Sequence, residues 1–328
     1  MDTFKSFEEQ LYQLNDLAFE DIAVSLFRFQ ASNNPVYRQY INGLGVDVNL
    51  INSVEKIPYL PITFFKTQSI QTGEWNPEIE FVSSGTTGAH SSKHLVRDLK
   101  FYLRHSRRCF EFFFGDLRNY NILALLPSYL ERKNSSLVAM IDYFIRESQS
   151  PASGFYLHNY DQLVSDIDKL RSDNRKTILW GVSFALLDVA EKYQLDLNHC
   201  IIFETGGMKG RRAELTRQEM HAILKQRFHV GEIFSEYGMT ELLSQCYSSG
   251  GESFFCPPSV RIQIRDVTDP FQVGIETVGG INVADLANFH SISFIETEDL
   301  GKKGKDGSFE VVGRIDNSEV RGCNLLIE

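Results

Sequence analysis

The chain has 328 residues, of which 42% are hydrophobic and 23% are charged. This length fits one large domain or two ordinary ones, and the composition excludes a disordered chain, a collagen and a coiled coil. The 33 Lys and Arg residues against 43 Asp and Glu residues give a net charge of -10. That acidic balance argues against nucleic acid as the main partner, because phosphate binding usually needs a basic surface.

The sequence carries no signal for a membrane or for secretion. No apolar run approaches the roughly 18 residues of a membrane span, and the N-terminus lacks the order of a signal peptide. The five cysteines are far apart and form no CxxC pair, so neither a disulfide framework nor a zinc site is indicated. We therefore expect a cytoplasmic protein without a membrane span.

The first region, residues 1–78, has mostly helical patterns. Ser6 and Glu9 form a candidate capping box, and apolar residues follow them at helical spacing. A second helix is predicted over 20–29, and the apolar stretch 58–65 is predicted to be extended.

The second region, residues 79–256, alternates short apolar runs with amphipathic ones. This alternation is typical of a parallel sheet flanked by helices, in which ligands bind beyond the carboxyl ends of the strands. The predicted strands and the helices that follow them are 121–126 with 135–146, 154–157 with 160–171, 177–180 with 183–193, 200–204 with 212–228, and 230–234 with 239–245.

The third region, residues 257–328, consists of short β patterns separated by Gly and Asp. It predicts a small barrel or antiparallel sheet packed on the α/β part, so that the chain forms one composite α/β domain. The predicted strands are 260–264, 277–283, 291–295 and 308–312.

The strongest local signal is a run of hydroxyls and glycines over 83–88. Glycines permit unusual backbone angles, so that successive amides can point into one concavity, and hydroxyls add donors for anionic oxygens. This is the composition of a phosphate-binding loop, although GxxxxGK[ST] is absent; a hydroxyl-rich hairpin turn is the alternative. The residues are Ser83, Ser84, Gly85, Thr86, Thr87 and Gly88.

Basic residues are crowded just downstream of this run. Spacings of three and four place Lys100, Arg104 and Arg107 on one helix face, where they could compensate a triphosphate or simply form a solvated face. The whole group comprises Lys93, Arg97, Lys100, Arg104, Arg107 and Arg108.

Two predicted strand ends carry further polar signals. Gly206 and Gly207 would let a flat base lie against bare backbone, and Tyr237 offers a ring for stacking. Thr240 and Glu241 follow, where a hydroxyl can reach phosphate and a carboxylate can hold Mg²⁺. The alternatives are a core aromatic residue and an acid in the first turn of a helix.

Taken in order, these motifs resemble the adenylate-forming superfamily of acyl-CoA synthetases and luciferase-type enzymes. The matching segments are SSGTTG at 83–88, GG at 206–207, EYGMTE at 236–241, EDLG at 298–301, and GRID with RG over 313–322. The resemblance implies an ATP- and Mg²⁺-dependent enzyme that converts a carboxylic acid to acyl-AMP and passes the acyl group to a thiol.

The resemblance also implies roles for particular residues. The SSGTTG loop would hold phosphates, and Gly206, Gly207, Glu236, Tyr237 and Gly238 would bind the nucleotide. Asp299 and Arg314 would hold the ribose, Thr240 and Glu241 would act at the phosphates, and Glu241 would bind the metal.

The short length, the helical N-terminus and the ending soon after the GRID segment look like one branch, the acyl-protein synthetase family. Its best-known member is the fatty-acid-activating subunit of the bacterial bioluminescence reductase, which takes the acyl group onto its own cysteine. The matching position is Cys323, where Arg321 could favour the thiolate; an inert thiol in a terminal strand is the alternative.

This sequence departs from the superfamily pattern in three places, one of which is a GRID segment that is one residue shorter than the common pattern up to its RG. The Pro-Lys that usually follows SSGTTG is missing, and Lys93 is the nearest lysine. The small C-terminal domain with its catalytic lysine has no counterpart. The acyl acceptor is therefore left open between the protein's own cysteine, a carrier or partner protein, and CoA, and short apolar surface segments are consistent with oligomerisation.

Two other functions are compatible with parts of the sequence. Ser183 lies between a predicted strand and helix, and Asp266 and His290 follow in the order of a serine hydrolase. A non-catalytic subunit that binds a nucleotide or acyl-AMP is the other alternative. The phenylalanines at 110 and 112–114 fit either a lipid channel or an ordinary core.

Overall fold

The computed structural model describes residues 3–14, 16–83, 91–126, 134–206, 215–269, 271–274 and 277–315. The helices in these ranges are α1 (Thr3–Leu11), α2 (Asp16–Asn33), α3 (Pro35–Gly43), α4 (Phe64–Thr67), α5 (Leu99–Phe114), α6 (Ser136–Ser148), α7 (Tyr160–Lys169), α8 (Ser183–Lys192) and α9 (Arg217–Phe228). The strands are β1 (Leu60–Pro61), β2 (Ile79–Val82), β3 (Lys93–Val96), β4 (Tyr120–Leu125), β5 (Gly154–Tyr156), β6 (Lys176–Val182), β7 (Cys200–Thr205), β8 (Phe234–Tyr237), β9 (Cys246–Ser248), β10 (Ser253–Phe255), β11 (Val260–Arg265), β12 (Gly279–Asp285), β13 (Phe294–Lys303) and β14 (Phe309–Arg314).

A single mixed sheet joins the second and third regions. Strands β5, β4, β6, β7 and β8 lie side by side in parallel. The direction changes at the antiparallel pair β8–β9, and the sheet continues through β10, β14, β13 and β12 to β11. The change places the carboxyl end of β8 between the parallel half and the antiparallel half.

Aromatic side chains fill the core beneath the parallel strands. Trp180 on β6 stacks on Phe203 on β7 with ring centroids 4.5 Å apart. Phe110 from α5 packs against both rings, and Phe114 contacts Phe203 edge-on. Phe110 therefore belongs to the protein core and the partly buried Phe114 packs against it, whereas Phe112 is 59% exposed.

The N-terminal region is attached directly to the C-terminal strands. Strand β1 pairs in parallel with β13, with Leu60 opposite Ile295, and the amide of Ile62 donates to the Glu296 carbonyl at 2.8 Å. The predicted extended stretch 58–65 is thus only a short strand, and α4 begins at Phe64. Buried residues from all three regions form one hydrophobic cluster. The boundaries at 78 and 256 stay a prediction.

Helix ends show where local sequence signals succeed and fail. The predicted capping box is wrong, because α1 begins at Thr3 and Ser6 lies inside it, where its hydroxyl accepts a hydrogen bond from Gln10. A complete capping box instead joins Thr216 and Glu219 at the start of α9. That cap explains why α9 begins later than predicted.

Most predicted elements of the second and third regions are confirmed to within a few residues. One exception is the strand predicted over 291–295, which begins at Phe294 and runs to Lys303; the others flank the EYGMTE motif. The strand predicted over 230–234 lies at Phe234–Tyr237, and the helix predicted over 239–245 is wrong, since that segment forms turns and irregular backbone. In the described part of the chain, no helix is long and apolar enough to cross a bilayer.

The core assignment of α5 can be tested with two neighbouring phenylalanines. Phe110→Ala should lower the free energy of unfolding by about 3–5 kcal/mol, because it leaves a cavity among buried rings. Phe112→Ala, the exposed control, should change it by no more than about 0.5 kcal/mol. Urea denaturation followed by tryptophan fluorescence measures both, and equal effects would contradict the assignment.

Candidate functional site

Three predicted site residues meet beyond the carboxyl end of β8. The hydroxyl of Tyr237, the last residue of β8, donates to Asp299 Oδ2 at 2.9 Å. Arg314 Nε lies 3.4 Å from Asp299 Oδ1, and these two residues are direct partners across strands β13 and β14. Burial raises the pKa of Asp299 and of Tyr237, although the Arg314 charge opposes the rise at Asp299. Arg314 itself is 73% exposed, so its guanidinium is open to a ligand.

The ring of Tyr237 is fixed by core aromatic residues. Phe309 contacts it edge-on with centroids 5.2 Å apart, and Phe254 packs at 5.7 Å. Tyr237 is therefore a core aromatic residue, the alternative given by the sequence, and it also presents a polar tip to Asp299; stacking of its ring on a base stays a prediction.

Glu236 ties together the ends of β7 and β8. Its Oε2 accepts a hydrogen bond from Thr205 Oγ1 at 2.9 Å. A Cβ on Gly238 would lie only 2.4 Å from Glu236 Oε1, so a larger residue at 238 would displace this carboxyl. Burial raises the pKa of Glu236 to about 7, and the nearby Glu204 charge acts in the same direction.

Glu204 is the centre of a polar network that the sequence analysis missed. Its buried carboxylate accepts hydrogen bonds from Ser235 Oγ at 2.7 Å and from Ser183 Oγ at 3.1 Å. Arg217 Nε and His221 Nε2 lie 3.3 and 3.5 Å away. Burial alone would raise the pKa of Glu204, but His221, Arg217 and Ser235 lower it overall. The sequence did offer one signal for this network, because Glu204 is a carboxylate within an otherwise apolar predicted strand.

The serine hydrolase arrangement is not formed. The Ser183 hydroxyl is directed to Glu204 and to the Gly206 carbonyl, each at 3.1 Å. His290 packs among aromatic rings, including Phe289 at 4.3 Å, and Asp266 accepts hydrogen bonds from Thr268 in an exposed turn. Ser183 instead supports the backbone of Gly206, whose φ of +73° suits glycine.

Glu241 lies beside strands β2 and β3. It is 5% exposed, and the side chain of Ser92, just before β3, helps to lower its pKa. Ser92 and Ser83 close the β2–β3 hairpin, with the Ser83 amide donating to the Ser92 carbonyl at 3.0 Å. Burial raises the pKa of Glu241, and the charges of Lys66 and Arg314 lower it. Glu241 therefore lies between the hairpin and the Asp299–Arg314 pair.

Buried side chains hold the irregular backbone that carries Glu241. His94 Nδ1 donates to the Thr240 carbonyl at 2.8 Å, and Asn288 Nδ2 donates to the Glu241 carbonyl at 2.8 Å. Asp285 Oδ2 accepts from the amides of Leu243 and Ser244, each at 2.9 Å. These bonds occupy backbone groups that a helix would need, which explains why the predicted helix is absent.

Several predicted residues lie outside the described part of the chain: Ser84, Gly85, Thr86, Thr87, Gly88, Gly207, Arg321 and Cys323. Of the phosphate-loop prediction, only Ser83 is described. Its Oγ accepts a hydrogen bond from the Ser92 amide at 2.8 Å.

The basic residues downstream of the hairpin bind other parts of the protein. Arg104 pairs with Glu8 at 3.2 Å, Arg107 pairs with Glu111 at 2.8 Å, and Arg108 lies over the Tyr12 ring. Lys93 lies 3.4 Å from Glu80 and is 60% exposed. The described contacts of α5 are those of a paired surface helix, so the alternative of charge compensation for a triphosphate is not supported.

No protein-family model matches the sequence, and no curated protein matches it. Solved structures do match. A 2-hydroxyisobutyryl-CoA ligase in an open conformation, in complex with 2-HIB-AMP and CoA, superposes with a TM-score of 0.69 at 13% identity, covering 92% of this chain and 70% of that one. ATP-bound MatB from Rhodopseudomonas palustris superposes with a TM-score of 0.55 at 15% identity, covering 74% of this chain and 49% of that one.

This chain thus spans about half of the MatB structure and 70% of the 2-hydroxyisobutyryl-CoA ligase structure. At these identities the likeness shows the fold. It confirms the predicted α/β architecture, a parallel sheet with a β-rich C-terminal part.

The raised pKa of Glu236 predicts a specific dependence of stability on pH. The folded carboxyl keeps its proton up to about pH 7, whereas an unfolded one titrates near 4.3. Its stabilising contribution is therefore complete below the unfolded pKa and is lost as pH rises through about 7. Between pH 5 and pH 8, the free energy of unfolding of the wild-type chain should therefore fall relative to that of the Glu236→Gln variant.

Urea denaturation at four pH values in that interval measures this difference. Glu232→Gln is the control, because Glu232 is exposed and pairs with Lys225. Its curve should run parallel to that of the wild type. A parallel curve for Glu236→Gln as well would contradict the prediction.

Proposed function

We propose that this chain uses ATP to activate a carboxylic acid as acyl-AMP and then transfers the acyl group to a thiol. The observation that carries the proposal is the cluster of Tyr237, Asp299 and Arg314 beside the buried Glu241. These are the residues to which the motif resemblance assigns the nucleotide, the ribose and the metal. The fold shared with acid–CoA ligase structures supports the same proposal.

In the first step, a carboxylate oxygen of the acid attacks the α-phosphorus of ATP. The bond from that phosphorus to the bridging oxygen of the β-phosphate breaks, and pyrophosphate leaves. Asp299 accepts hydrogen bonds from the ribose hydroxyls, Arg314 approaches the same sugar, and Tyr237 keeps Asp299 oriented. Adenine lies against the Gly206–Gly207 turn, and the SSGTTG loop holds the departing phosphates.

Glu241 has the properties of a ligand for Mg²⁺. It is a buried carboxylate whose pKa burial raises, so a cation beside it restores favourable electrostatics. Among the described residues, no group of three or more His, Cys, Asp and Glu side chains is placed so that it could hold a metal ion. A single carboxylate suits Mg²⁺, which is usually bound by one or two carboxylates with phosphates and water. An ion bound there would offset the negative charge that develops on the phosphates.

In the second step, a thiolate attacks the acyl carbonyl carbon, the bond from that carbon to the AMP oxygen breaks, and AMP leaves. Burial raises the pKa of Cys109 and Cys200 to about 12, and that of Cys246 further, so these thiols are poor nucleophiles near neutral pH. We assign the acceptor role to Cys323, and a fatty acid as substrate, on the resemblance to acyl-protein synthetases.

Adenylation is tested by ATP–pyrophosphate exchange with Mg²⁺ and acids from acetate to tetradecanoate, together with aryl acids. The wild-type protein should exchange with one class of acid. Glu241→Gln should reduce the rate about 100-fold or more, because it removes charge from the metal site. Glu232→Gln, the exposed control, should keep the wild-type rate.

Titration with ATP alone separates the remaining outcomes. Binding of ATP without exchange for any acid would favour the non-catalytic nucleotide-binding subunit. Absence of both binding and exchange would overturn the proposal entirely.

Acyl transfer is tested with radiolabelled acid and denaturing gels. Cys323→Ser should keep exchange but lose the hydroxylamine-sensitive label on the protein, because adenylation does not need the acceptor thiol. Cys256→Ser, a half-buried control, should retain the label. If the Cys323→Ser variant is still labelled, the acyl acceptor is another thiol of the protein.

A further inference from the structure

Lys66 reaches the candidate site from the N-terminal region, where the sequence offered no chemical signal. It lies on α4, immediately after strand β1, which pairs with β13. Strand β13 carries Glu298 and Asp299, and Lys66 Nζ lies 3.7 Å from Glu298 Oε2. The Lys66 side chain is 35% exposed, so one side of it faces solvent or a ligand.

Two cations and three carboxylates share this part of the site. Glu298 Oε2 is also 3.6 Å from Arg314, whose Nε approaches Asp299. Lys66 and Arg314 are the two cations whose charges act on the buried Glu241. Lys66 therefore lies within electrostatic reach of the position where the phosphates of ATP would meet Glu241.

The backbone of Lys66 is held rigidly, whereas its side chain is free to change partner. Phe65 is 1% exposed and packs edge-on against the His94 ring at 5.6 Å. His94 in turn donates to the carbonyl of Thr240, next to Glu241. The contact of Lys66 with Glu298 at 3.7 Å is beyond hydrogen-bond distance, and the Lys66 side chain is 35% exposed, so its ammonium group keeps access to another partner.

We propose that Lys66 is a catalytic residue of adenylation: its ammonium group leaves Glu298 and binds the carboxylate of the acid and a non-bridging oxygen of the α-phosphate. This inference rests on the proposed function. Both reactants are anions and Arg314 pairs with Asp299, so a further positive charge, besides that of the proposed metal ion, would lower the electrostatic cost of their approach. An ammonium on a flexible stem can follow the oxygens as the new bond forms. Lys66 stays protonated throughout and transfers no proton.

The test uses the full chain and pyrophosphate exchange at saturating ATP with the acid varied. Lys66→Met should lower the exchange rate about 100-fold or more. Removal of one hydrogen-bond donor to a charge that develops in the transition state has an effect of this size. ATP affinity measured without acid should stay within about twofold, and the thermal midpoint should be unchanged. Lys66→Arg should recover part of the rate because it restores the charge.

Lys302→Met is the matched control, since Lys302 is also a half-exposed lysine paired with a glutamate, Glu310, at 3.0 Å. It should exchange like the wild type. Glu298→Gln should lower the KM for the acid, because it releases Lys66 from its competing partner.

Wild-type exchange that persists in Lys66→Met would overturn the role of Lys66 and leave the proposed function standing. Equal losses of ATP affinity, thermal midpoint and exchange in Lys66→Met would also overturn it, because a structural role gives that pattern. Absence of exchange in the wild type with every acid would overturn the proposed function and this inference together.

Discussion

The candidate site depends on a stretch of backbone, Gly238–Gln245, that forms neither helix nor strand. Buried polar backbone must be hydrogen-bonded, and here side chains from β3 and from the end of β12 supply the partners. His94, Asp285 and Asn288 hold the carbonyls and amides of this stretch, and so they fix where Glu241 points. Burial of this stretch thus holds one carboxylate, Glu241, in a fixed place beside strands β2 and β3.

The same constraint joins elements that are distant along the chain. His94 of β3 binds the carbonyl of Thr240, next to Glu241, and β13 brings Asp299 to Tyr237. Burial raises the pKa of both Glu241 and Asp299, and the charge of Arg314 opposes both shifts. Under the proposed function, a divalent cation that arrives with the nucleotide would place a positive charge beside these buried acids.

Sequence patterns predicted the sheet and the position of Tyr237, because apolar runs followed by polar residues mark strand ends. Asp299 and Arg314 came from the motif resemblance instead, and the structure brings the three residues together. The helix predicted over 239–245 failed because the side chains that hold that segment come from positions 94, 285 and 288, which no local pattern reveals. Lys66 was missed for a related reason, since it reaches the site only through the pairing of β1 with β13.

The attachment of the N-terminal region to the C-terminal strands has a consequence for folding. Asn34 donates to the Ser291 carbonyl across 257 positions of sequence, and Gln30 bonds Asn288 across 258. During synthesis at about 5–20 residues per second, the N-terminal helices therefore wait roughly 13 to 50 seconds for these partners to emerge. Contacts of such long range also slow folding, because the loop between them must close first. The apolar faces of α1–α3 are exposed for that interval, which makes this region the part of the nascent chain that most needs protection from aggregation.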